Sequence, residues 1–276
     1  MVYSGSVAPL AALHSNVTRS FYYCHALPRF IYDLRDYYMR ALPHWQRPLL
    51  SALIQYIQPR YEKAISRIHA LIANSENVRS RILRYLGRDS VVIHPPCDTK
   101  GFTWLESGDY FLSTARLEPY KRVDLVVSAF LQMPECKLVV ASGGSDESRL
   151  FRMAENAPNI RFVGWQSAGA LRELIGRSRA TIYIPLDEDF GMSPVESMAA
   201  GKPVIGVAEG GLLETVLPEE TGFLLGPKDL EQQLMDTVRN TTPEHFQNMR
   251  SECEERAKQF SSERFVSAIR KTVDLV

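Results

Sequence analysis

Two glutamates eight residues apart, Glu188 and Glu196, bracket a short segment that contains Gly191 and Ser193. Ser193 is followed by proline, and this pair predicts the N-cap and first turn of a helix, with Glu196 on that turn. The free N–H groups and positive dipole of a helix amino terminus favour a phosphate. Because a carboxylate is unfavourable beside a phosphate, we expect the two glutamates to bind hydroxyl groups, such as those of a sugar and a ribose.

Two cations five residues apart, Arg116 and Lys121, form the second chemically informative pair. They follow a predicted strand, and cations at the carboxyl end of a strand can hold a diphosphate from two directions. A solvated basic loop is the alternative interpretation. The segment Asp187-Glu-Asp189 has the Asp-x-Asp pattern of some metal sites. Since the two cations and the helix amino terminus already supply positive charge, we predict no metal ion here.

Alternating strands and helices would bring these residues together. Apolar runs predict strands at residues 109–115, 137–142, 159–163, 180–184, 204–207 and 221–225. Helical patterns lie between and after them, at residues 123–131, 147–155, 168–177, 193–200, 230–239, 243–259 and 261–275. This alternation predicts an α/β fold with a parallel, Rossmann-like sheet. Ligands of such sheets bind at the carboxyl ends of the strands, which is where Arg116 and Glu188 are expected.

The apolar pattern of the first 95 residues predicts part of a further α/β domain, and these residues carry a net positive charge. Strands are predicted at residues 20–24, 71–75 and 91–96, and helices at residues 48–70 and 78–86. These 95 residues contain 12 Lys and Arg against 5 Asp and Glu, a balance of +7, while the remainder contains 20 against 27, a balance of −7. A basic half can face an anionic membrane, an anionic acceptor or the acidic half of the chain.

The composition sets broad limits on the class of protein. With 276 residues, of which 45% are hydrophobic, the chain can form one large or two modest domains. Its four cysteines, Cys24, Cys97, Cys136 and Cys253, are widely spaced without a zinc pattern, so we predict reduced cysteines in a cytoplasmic protein. No apolar run approaches the roughly 20 residues of a membrane-spanning helix, and the sequence predicts no signal peptide. Any membrane contact is therefore predicted to be peripheral.

Residues 188–206 resemble a known family. Glu-x7-Glu around Phe-Gly-x-x-Pro, followed by Glu-x-Met-Ala-x-Gly-x-Pro-Val, resembles the retaining nucleotide-sugar glycosyltransferases of family 4, which have the GT-B fold. The family pattern Gly-Arg-Leu-x-x-x-Lys-Gly matches at Arg116 and Lys121, with Ala115 and Arg122 in place of its two glycines. Three segments are most similar to bacterial mannosyltransferases that build O-antigen and other surface polysaccharides: YYCHALPRFIYD, IANSENVRSRILRYLG and VVIHPPCDT.

The resemblance implies a domain organisation as well as a GT-B-like fold. Residues 101–260 would form a complete Rossmann-like donor domain, and residues 1–100 would form part of the acceptor-side domain. The final helix, within residues 261–276, would cross back to the acceptor-side domain. Complete members have further strands and a Gly-rich loop before the point where this sequence starts, so the acceptor-side domain is expected to be partial.

The resemblance also implies roles on the donor side. The diphosphate would be held by Arg116, Lys121 and Ser193. Glu188 would orient the donor sugar as a catalytic residue, and Glu196 would bind the ribose. These roles agree with the expectation, drawn from charge alone, that cations meet the diphosphate and carboxylates meet hydroxyls.

Further roles are implied for backbone groups, for the nucleotide base and for the acceptor. Backbone N–H groups beside the sugar would come from Phe190, Gly191 and Met192. The residues that meet the base would be Gly164, Trp165 and Gln166. A core position is the alternative for Trp165. His25 matches a histidine that lies beside the transferred sugar on the acceptor side, although a lone histidine on an apolar strand is more often a satisfied core residue.

On this resemblance we predict hexose transfer, with retention, from a nucleotide-sugar donor to a glycan or lipid-linked saccharide. The subgroup implies mannose from GDP-mannose, used as a substrate, with no cofactor and no metal. Two alternatives stay open: a nucleotide-sugar-binding fragment without catalysis, and a nucleotide-sugar 2-epimerase of the same architecture. Peripheral contact with the inner face of a membrane and assembly into a homo-oligomer also stay open. No nucleic-acid partner is predicted.

Overall fold

The computed structural model describes residues 1–17 and 19–275 and divides the chain into two compact units. The first unit comprises Met1–His94 and Ala268–Val276, and the second comprises Pro95–Ser267. Each unit is built on its own parallel sheet with helices packed against it. The predicted α/β class is therefore confirmed. None of the described helices combines the length and the apolarity that crossing a lipid bilayer requires.

The first unit has four parallel strands in the order β1-β2-β3-β4. They are β1 (Val2–Ser4), β2 (Phe21–Cys24), β3 (Ala70–Ala73) and β4 (Val91–Val92). Its helices are α1 (Arg35–Ala41), α2 (Arg47–Ser66) and α3 (Glu76–Leu86), with short 3-10 helices at Ala8–His14 and His44–Gln46. The predicted helix at 48–70 ends earlier because the chain from residue 70 joins the sheet, and the strand predicted at 91–96 ends before its prolines, which cannot donate to a ladder.

The second unit has six strands and most of the helices. The strands are β5 (Tyr110–Ser113), β6 (Lys137–Val140), β7 (Ile160–Phe162), β8 (Ala180–Tyr183), β9 (Val204–Val207) and β10 (Gly222–Leu225). The helices are α4 (Val123–Leu131), α5 (Glu147–Met153), α6 (Ala168–Arg177), α7 (Met192–Ala199), α8 (Leu212–Thr215), α9 (Leu230–Asn240), α10 (Pro243–Asn248) and α11 (Arg250–Lys258). Short 3-10 helices lie at Thr99–Gly101 and Pro119–Lys121, and α12 spans Ser262–Leu275. The helix predicted at 243–259 is thus divided in two.

The strand order of the second sheet creates the crevice that a ligand needs. All strands are parallel, in the order β10-β9-β8-β5-β6-β7, and the order reverses between β5 and β8, which pair at Phe111 and Ala180. At such a reversal the chain leaves the two neighbouring strands in opposite directions, and a crevice opens beyond their carboxyl ends. The loop after β5 carries Arg116 and Lys121, and the loop after β8 carries Glu188.

Helix α7 begins before the predicted N-cap, so the assignment of Ser193 as the cap is wrong. The N-cap is Gly191, whose φ of 91° lies in the left-handed region, and no side chain caps this end. Glycine adopts that region at little cost and turns the chain sharply into the helix. Ser193 therefore lies inside the first turn, where the missing N–H of Pro194 breaks no helical hydrogen bond.

Candidate functional site

Lys121, Tyr183 and Glu188 form a closed triangle at the crevice of the second sheet. The Nζ of Lys121 donates to Oε2 of Glu188 at 2.5 Å and to the hydroxyl of Tyr183 at 3.3 Å. The same hydroxyl donates to Oε2 of Glu188 at 3.0 Å. Burial is the main reason that the pKa of Tyr183 lies well above its usual range, so this hydroxyl stays protonated as a donor. The triangle brings together the cation predicted for the diphosphate and the carboxylate predicted for the sugar.

Arg116 projects from a loop whose backbone is firmly held. Its side chain is exposed, and Nη2 donates to the hydroxyl of Tyr120 at 3.3 Å. The next residue, Leu117, donates its N–H to the carbonyl of Gly143 at 3.0 Å. A Cβ at Gly144 would overlap the carbonyl of Leu117, so only glycine allows this backbone contact. The exposed guanidinium of Arg116 therefore projects from a loop that is hydrogen-bonded to the neighbouring strand end at Gly143.

Arg122 and Glu209 form an ion pair that the sequence did not predict. The two guanidinium nitrogens Nη1 and Nη2 lie 3.2 and 3.3 Å from the two carboxylate oxygens, and both side chains are less than a fifth exposed. One of these oxygens also accepts the backbone N–H of Asp187 at 3.1 Å. The pair thus connects the loop after β5, the loop after β8 and the loop after β9. The sequence feature that could have indicated this pair is Arg122 itself, which stands where the family pattern has glycine.

The backbone at Arg122 explains why that pattern has glycine. Its φ of 54° lies in the left-handed region, which costs a residue with a Cβ about 1–2 kcal/mol. The ion pair with Glu209 holds the residue in this conformation. Arg122 also follows Lys121 directly and precedes α4, so the strained residue lies next to the buried cation of the triangle.

The loop from Glu188 to Met192 packs against a diglycine turn. The N–H of Gly211 donates to the carbonyl of Glu188 at 2.8 Å, and a Cβ at Gly211 would overlap the Cα of Phe190. The ring of Phe190 is buried and lies edge-on to Phe260, with ring centroids 5.5 Å apart. Phe190 can therefore offer a ligand only its backbone, as the resemblance implies for this residue and for Met192.

Glu196 lies on α7, about one turn from its amino end, and is half-buried. Burial raises the pKa of its carboxyl, and the positive charge of Arg172 opposes that rise. Ser193 is also half-buried on the same turn. Glu196 and Ser193 therefore lie on the first turn of the helix that follows the Glu188 loop, and their roles at a ligand stay predictions.

Trp165 is 70% exposed, so its interpretation as a core aromatic is wrong. The indole lies against Gly143 so closely that a Cβ there would overlap its Nε1. Gly164 has a φ of 65°, and Gln166 donates its Nε2 to the carbonyl of Val163 at 2.5 Å, which closes the turn. Because Gly143 also binds the Arg116 loop, the exposed indole stands beside that loop.

His25 lies in the first unit at the end of β2. Its imidazole is exposed, so it is not the satisfied core histidine of the alternative interpretation. The Nε2 atom lies 3.0 Å from the hydroxyl of Ser4, and the ring is edge-on to Tyr23 with centroids 4.8 Å apart. Asn74 donates to the carbonyl of His25 at 2.8 Å. Desolvation lowers the pKa of His25, which favours a neutral ring at neutral pH.

A metal site was not expected from the sequence. Across residues 1–17 and 19–275, no three His, Cys, Asp or Glu side chains are grouped as ligands of one ion would be. The segment Asp187-Glu-Asp189 instead contributes a backbone N–H to Glu209 and a carboxylate to Lys121. That the chain works without a metal stays a prediction.

Comparison with known proteins places this site within a family. Residues 99–260 match the sequence profile of the family described as glycosyl transferases group 1. The alpha-1,3/1,6-mannosyltransferase alg-2 of Neurospora crassa is 30% identical over an alignment of 173 residues, and the match covers 50% of this chain and 36% of that protein. An uncharacterized glycosyltransferase of Methanocaldococcus jannaschii is 24% identical over an alignment of 220 residues, and the match covers 78% of this chain and 62% of that protein.

A third relative is the D-inositol 3-phosphate glycosyltransferase of Mycobacterium bovis. It is 26% identical over an alignment of 198 residues, and the match covers 62% of this chain and 40% of that protein. The chain thus spans 36%, 62% and 40% of the lengths of these three relatives.

Two solved structures share the fold along nearly the whole chain. The sucrose-phosphate synthase of Thermosynechococcus elongatus has a TM-score of 0.79 at 19% identity and covers 99% of this chain and 72% of its own. Anabaena HepE in complex with UDP has a TM-score of 0.80 at 17% identity and covers 100% of this chain and 79% of its own. Identities this low indicate the fold alone, and together with the two parallel sheets they confirm the predicted GT-B-like fold.

Proposed function

The chain belongs to the glycosyl transferases group 1 family, and on that premise we propose that it transfers a hexose from a nucleoside diphosphate sugar. The proposed acceptor is a hydroxyl of a glycan or a lipid-linked saccharide, in the synthesis of a surface polysaccharide. The donor part is supported above all by the contact between Lys121 and Glu188 at the strand-order reversal. A cation, a carboxylate and a helix amino terminus then surround one crevice.

The proposed mechanism depends on stabilising the diphosphate as it leaves. Negative charge develops on this group as the bond to the sugar breaks, and preorganised positive groups stabilise it. We assign this role to Arg116, Lys121 and the amino terminus of α7 around Ser193. Two of the three ammonium hydrogens of Lys121 are used by Glu188 and Tyr183, which leaves one for a phosphate oxygen.

We assign the hydroxyl groups of the donor to the two carboxylates, Glu188 and Glu196. Glu188 would accept hydroxyls of the donor sugar and orient its anomeric carbon. Backbone N–H groups of Phe190, Gly191 and Met192 would complete this part of the site. Glu196 would accept the ribose hydroxyls.

At the base, the exposed indole of Trp165 would pack beside the ring, with backbone groups of Gly164 and Gln166 at its edge. His25 is proposed to act on the acceptor side. Its role is supported by the sequence resemblance and by its exposed, preferentially neutral imidazole.

We propose GDP-mannose as the donor, with retention of configuration as in family 4, and no metal or cofactor. Support for mannose comes from the resemblance to O-antigen mannosyltransferases and from the Neurospora relative, which is named as an alpha-1,3/1,6-mannosyltransferase. The Anabaena structure holds UDP, so a uridine nucleotide is the competing donor. We place the reaction at the cytoplasmic face of a membrane, with peripheral contact only. No nucleic acid takes part.

The test combines binding with transfer. The melting temperature of the full chain is measured with GDP, UDP, ADP and their sugars, since a ligand of the folded state raises it. Transfer from GDP-mannose to a polysaccharide acceptor is then followed, and the anomeric configuration of the product is read by NMR. Lys121→Ala should lower both donor affinity and turnover, and Glu196→Ala should weaken nucleotide binding.

Lys137→Ala serves as the matched control. This lysine is exposed and starts β6 at the amino end of the sheet, away from the crevice. The proposal is wrong if no nucleotide raises the melting temperature, or if the site variants bind as tightly as the control. Binding without transfer or hydrolysis would favour the nucleotide-binding fragment, and a 2-epimer formed without acceptor would favour the epimerase.

A further inference from the structure

Helix α2 buries one apolar side in the core of the first unit. A second side faces solvent, and this side is apolar along its first half and basic along its second half. The buried side consists of Ile54, Tyr61, Ala64 and Ile65. The side opposite is what we call the outward stripe: Trp45, Leu49, Leu53, Tyr56, Arg60, Lys63 and Arg67. Five members recur every three or four residues within α2 and so share one side of the helix, with Pro59 between its apolar and basic halves: Leu49, Leu53, Tyr56, Arg60 and Lys63. Trp45 precedes α2 in the 3-10 helix His44–Gln46, and Arg67 follows the last residue of α2.

The first half of the outward stripe is apolar and exposed. The exposed fractions are 71% for Trp45, 65% for Leu49, 47% for Leu53 and 58% for Tyr56. Single exposed apolar residues are ordinary, but here Leu49, Leu53 and Tyr56 lie on successive turns of α2, and Trp45 lies just before its first residue. Tryptophan and tyrosine are the side chains most enriched where a membrane meets water.

The second half of the outward stripe is basic. Arg60, Lys63 and Arg67 are all exposed, and the guanidinium of Arg60 lies over the ring of Tyr56 at 3.6 Å, which joins the two halves. None of the seven positions is acidic. The acid of this helix segment, Glu62, lies to one side and accepts the amide of Gln58 at 2.9 Å.

We propose that the outward stripe docks the chain on an anionic lipid surface. The apolar half would enter the headgroup region, and the basic half would meet lipid phosphates, as for amphipathic helices that lie in the membrane plane. The net charge of +7 over the first 95 residues agrees with such a partner. The inference concerns the first unit alone and does not depend on the donor site of the second.

Charge argues against the other occupants. If the outward stripe of a second copy packed on this one in parallel, the three cations of one stripe would face the three cations of the other. If it packed antiparallel, the cations of each stripe would be buried against the leucine and tryptophan side chains of the other, with no acidic residue to pair with them. A nucleic acid would meet the basic half through its phosphates, but it would leave Leu49 and Leu53 exposed to water. A lipid surface satisfies both halves at once.

The test is flotation of the full chain with vesicles. Vesicles of phosphatidylcholine and phosphatidylglycerol are compared with vesicles of phosphatidylcholine alone, and binding is expected chiefly to the anionic ones. Removing two charges in Arg60→Gln/Lys63→Gln should weaken binding about tenfold or more. Removing apolar contact in Leu49→Ser/Leu53→Ser should weaken it by a similar factor. The vesicles should also shift the tryptophan emission of the wild-type chain more than that of Trp45→Phe.

Matched controls come from α3 of the same unit. Leu83→Ser removes a leucine that is 55% exposed, and Arg84→Gln removes an exposed charge, both outside the outward stripe. The controls should bind vesicles as the wild type does, and nucleotide binding should be unchanged in all variants. Equal vesicle binding by stripe and control variants, or no binding to anionic vesicles, would overturn the proposal. A wild-type dimer that Leu49→Ser/Leu53→Ser dissociates would assign the stripe to a second copy instead.

Discussion

Replacing Lys121 by methionine should destabilise the second unit strongly, because it leaves a buried carboxylate without its cation. The side chains of Lys121 and Glu188 are only 8% and 16% exposed, so water screens little of their interaction. Removing one partner of a buried pair costs about 3–5 kcal/mol, and we expect the lower end because Glu188 keeps the hydrogen bond from the Tyr183 hydroxyl. For a unit of this size, about 3 kcal/mol lowers the melting temperature by about 6–12 °C.

The double variant Lys121→Met/Glu188→Gln separates the structural role of the pair from its role with the donor. It removes both charges, so its loss of stability should be smaller than the sum of the two single losses by about 2 kcal/mol. Donor affinity should nevertheless remain at least tenfold reduced, since the charge-assisted hydrogen bond to the phosphate is still missing. Denaturant unfolding measures the stabilities, and calorimetry with the nucleotide measures the affinities.

The exposed pair Lys137–Asp109 provides the control cycle. Its side chains are 62% and 67% exposed, so Lys137→Met/Asp109→Asn should show no measurable coupling and normal nucleotide binding. If the losses of stability in the two single variants at Lys121 and Glu188 add up to the loss in the double variant, the two charges do not stabilise each other and the prediction is wrong. Recovery of full donor affinity in the double variant would show that Lys121 does not bind phosphate.

Arg122→Gly should relieve about 1 kcal/mol of backbone strain but leave the largely buried Glu209 without its cation, so the melting temperature should fall and donor binding should weaken. Glu209→Gln should weaken donor binding without that relief of strain; melting curves and calorimetry measure both variants. Trp165→Ala should lower nucleotide affinity about fivefold or more through lost stacking, with an unchanged melting temperature, because the indole is exposed. The pKa of Glu196 is raised by burial, so its contribution to stability is present at low pH and lost as the pH rises through the folded-state pKa. Nucleotide affinity should change in the opposite sense and fall as the pH falls through that pKa, because the ionised carboxylate accepts the ribose hydroxyls. Glu196→Gln should flatten both pH profiles.

Unchanged donor binding in Arg122→Gly would mean that the ion pair with Glu209 does not position the crevice loops. A lower melting temperature in Trp165→Ala would indicate a structural contact. Parallel pH profiles of wild type and Glu196→Gln would show that another group controls the titration.

Elements with local signals at both ends could be predicted well from the sequence. The predicted helices at 123–131 and 168–177 have the bounds of α4 and α6, and the cap of α6 is Ser167, whose hydroxyl accepts the N–H of Ala170. Ser75 caps α3 in the same way, and its hydroxyl accepts the N–H of Val78. Such contacts join residues three apart, so they need no knowledge of the fold.

Elements without such signals were missed. Strand β1 has only three residues, and helix α1 buries none of its side chains, so neither shows an apolar period. The start of α7 was misplaced because the Ser-Pro signal at Ser193 competed with the left-handed Gly191, and the turn out of the loop decided the outcome.

The contacts of the site depend on strand order, which a single sequence does not reveal. Lys121 and Glu188 are 67 residues apart, and Arg122 and Glu209 are 87 apart. They meet because β5 and β8 are neighbours at the reversal of the second sheet. The roles that the sequence gives these residues at a ligand stay predictions, and the sequence did not predict that Lys121 and Glu188 bind each other.

A crystal structure with GDP at saturating concentration would show whether the crevice between the loops after β5 and β8 holds a nucleoside diphosphate. We expect diphosphate oxygens at hydrogen-bond distance from Arg116 and Lys121, with the ribose hydroxyls on Glu196. GDP bound elsewhere on the chain, with this crevice empty, would rule out the proposed donor site.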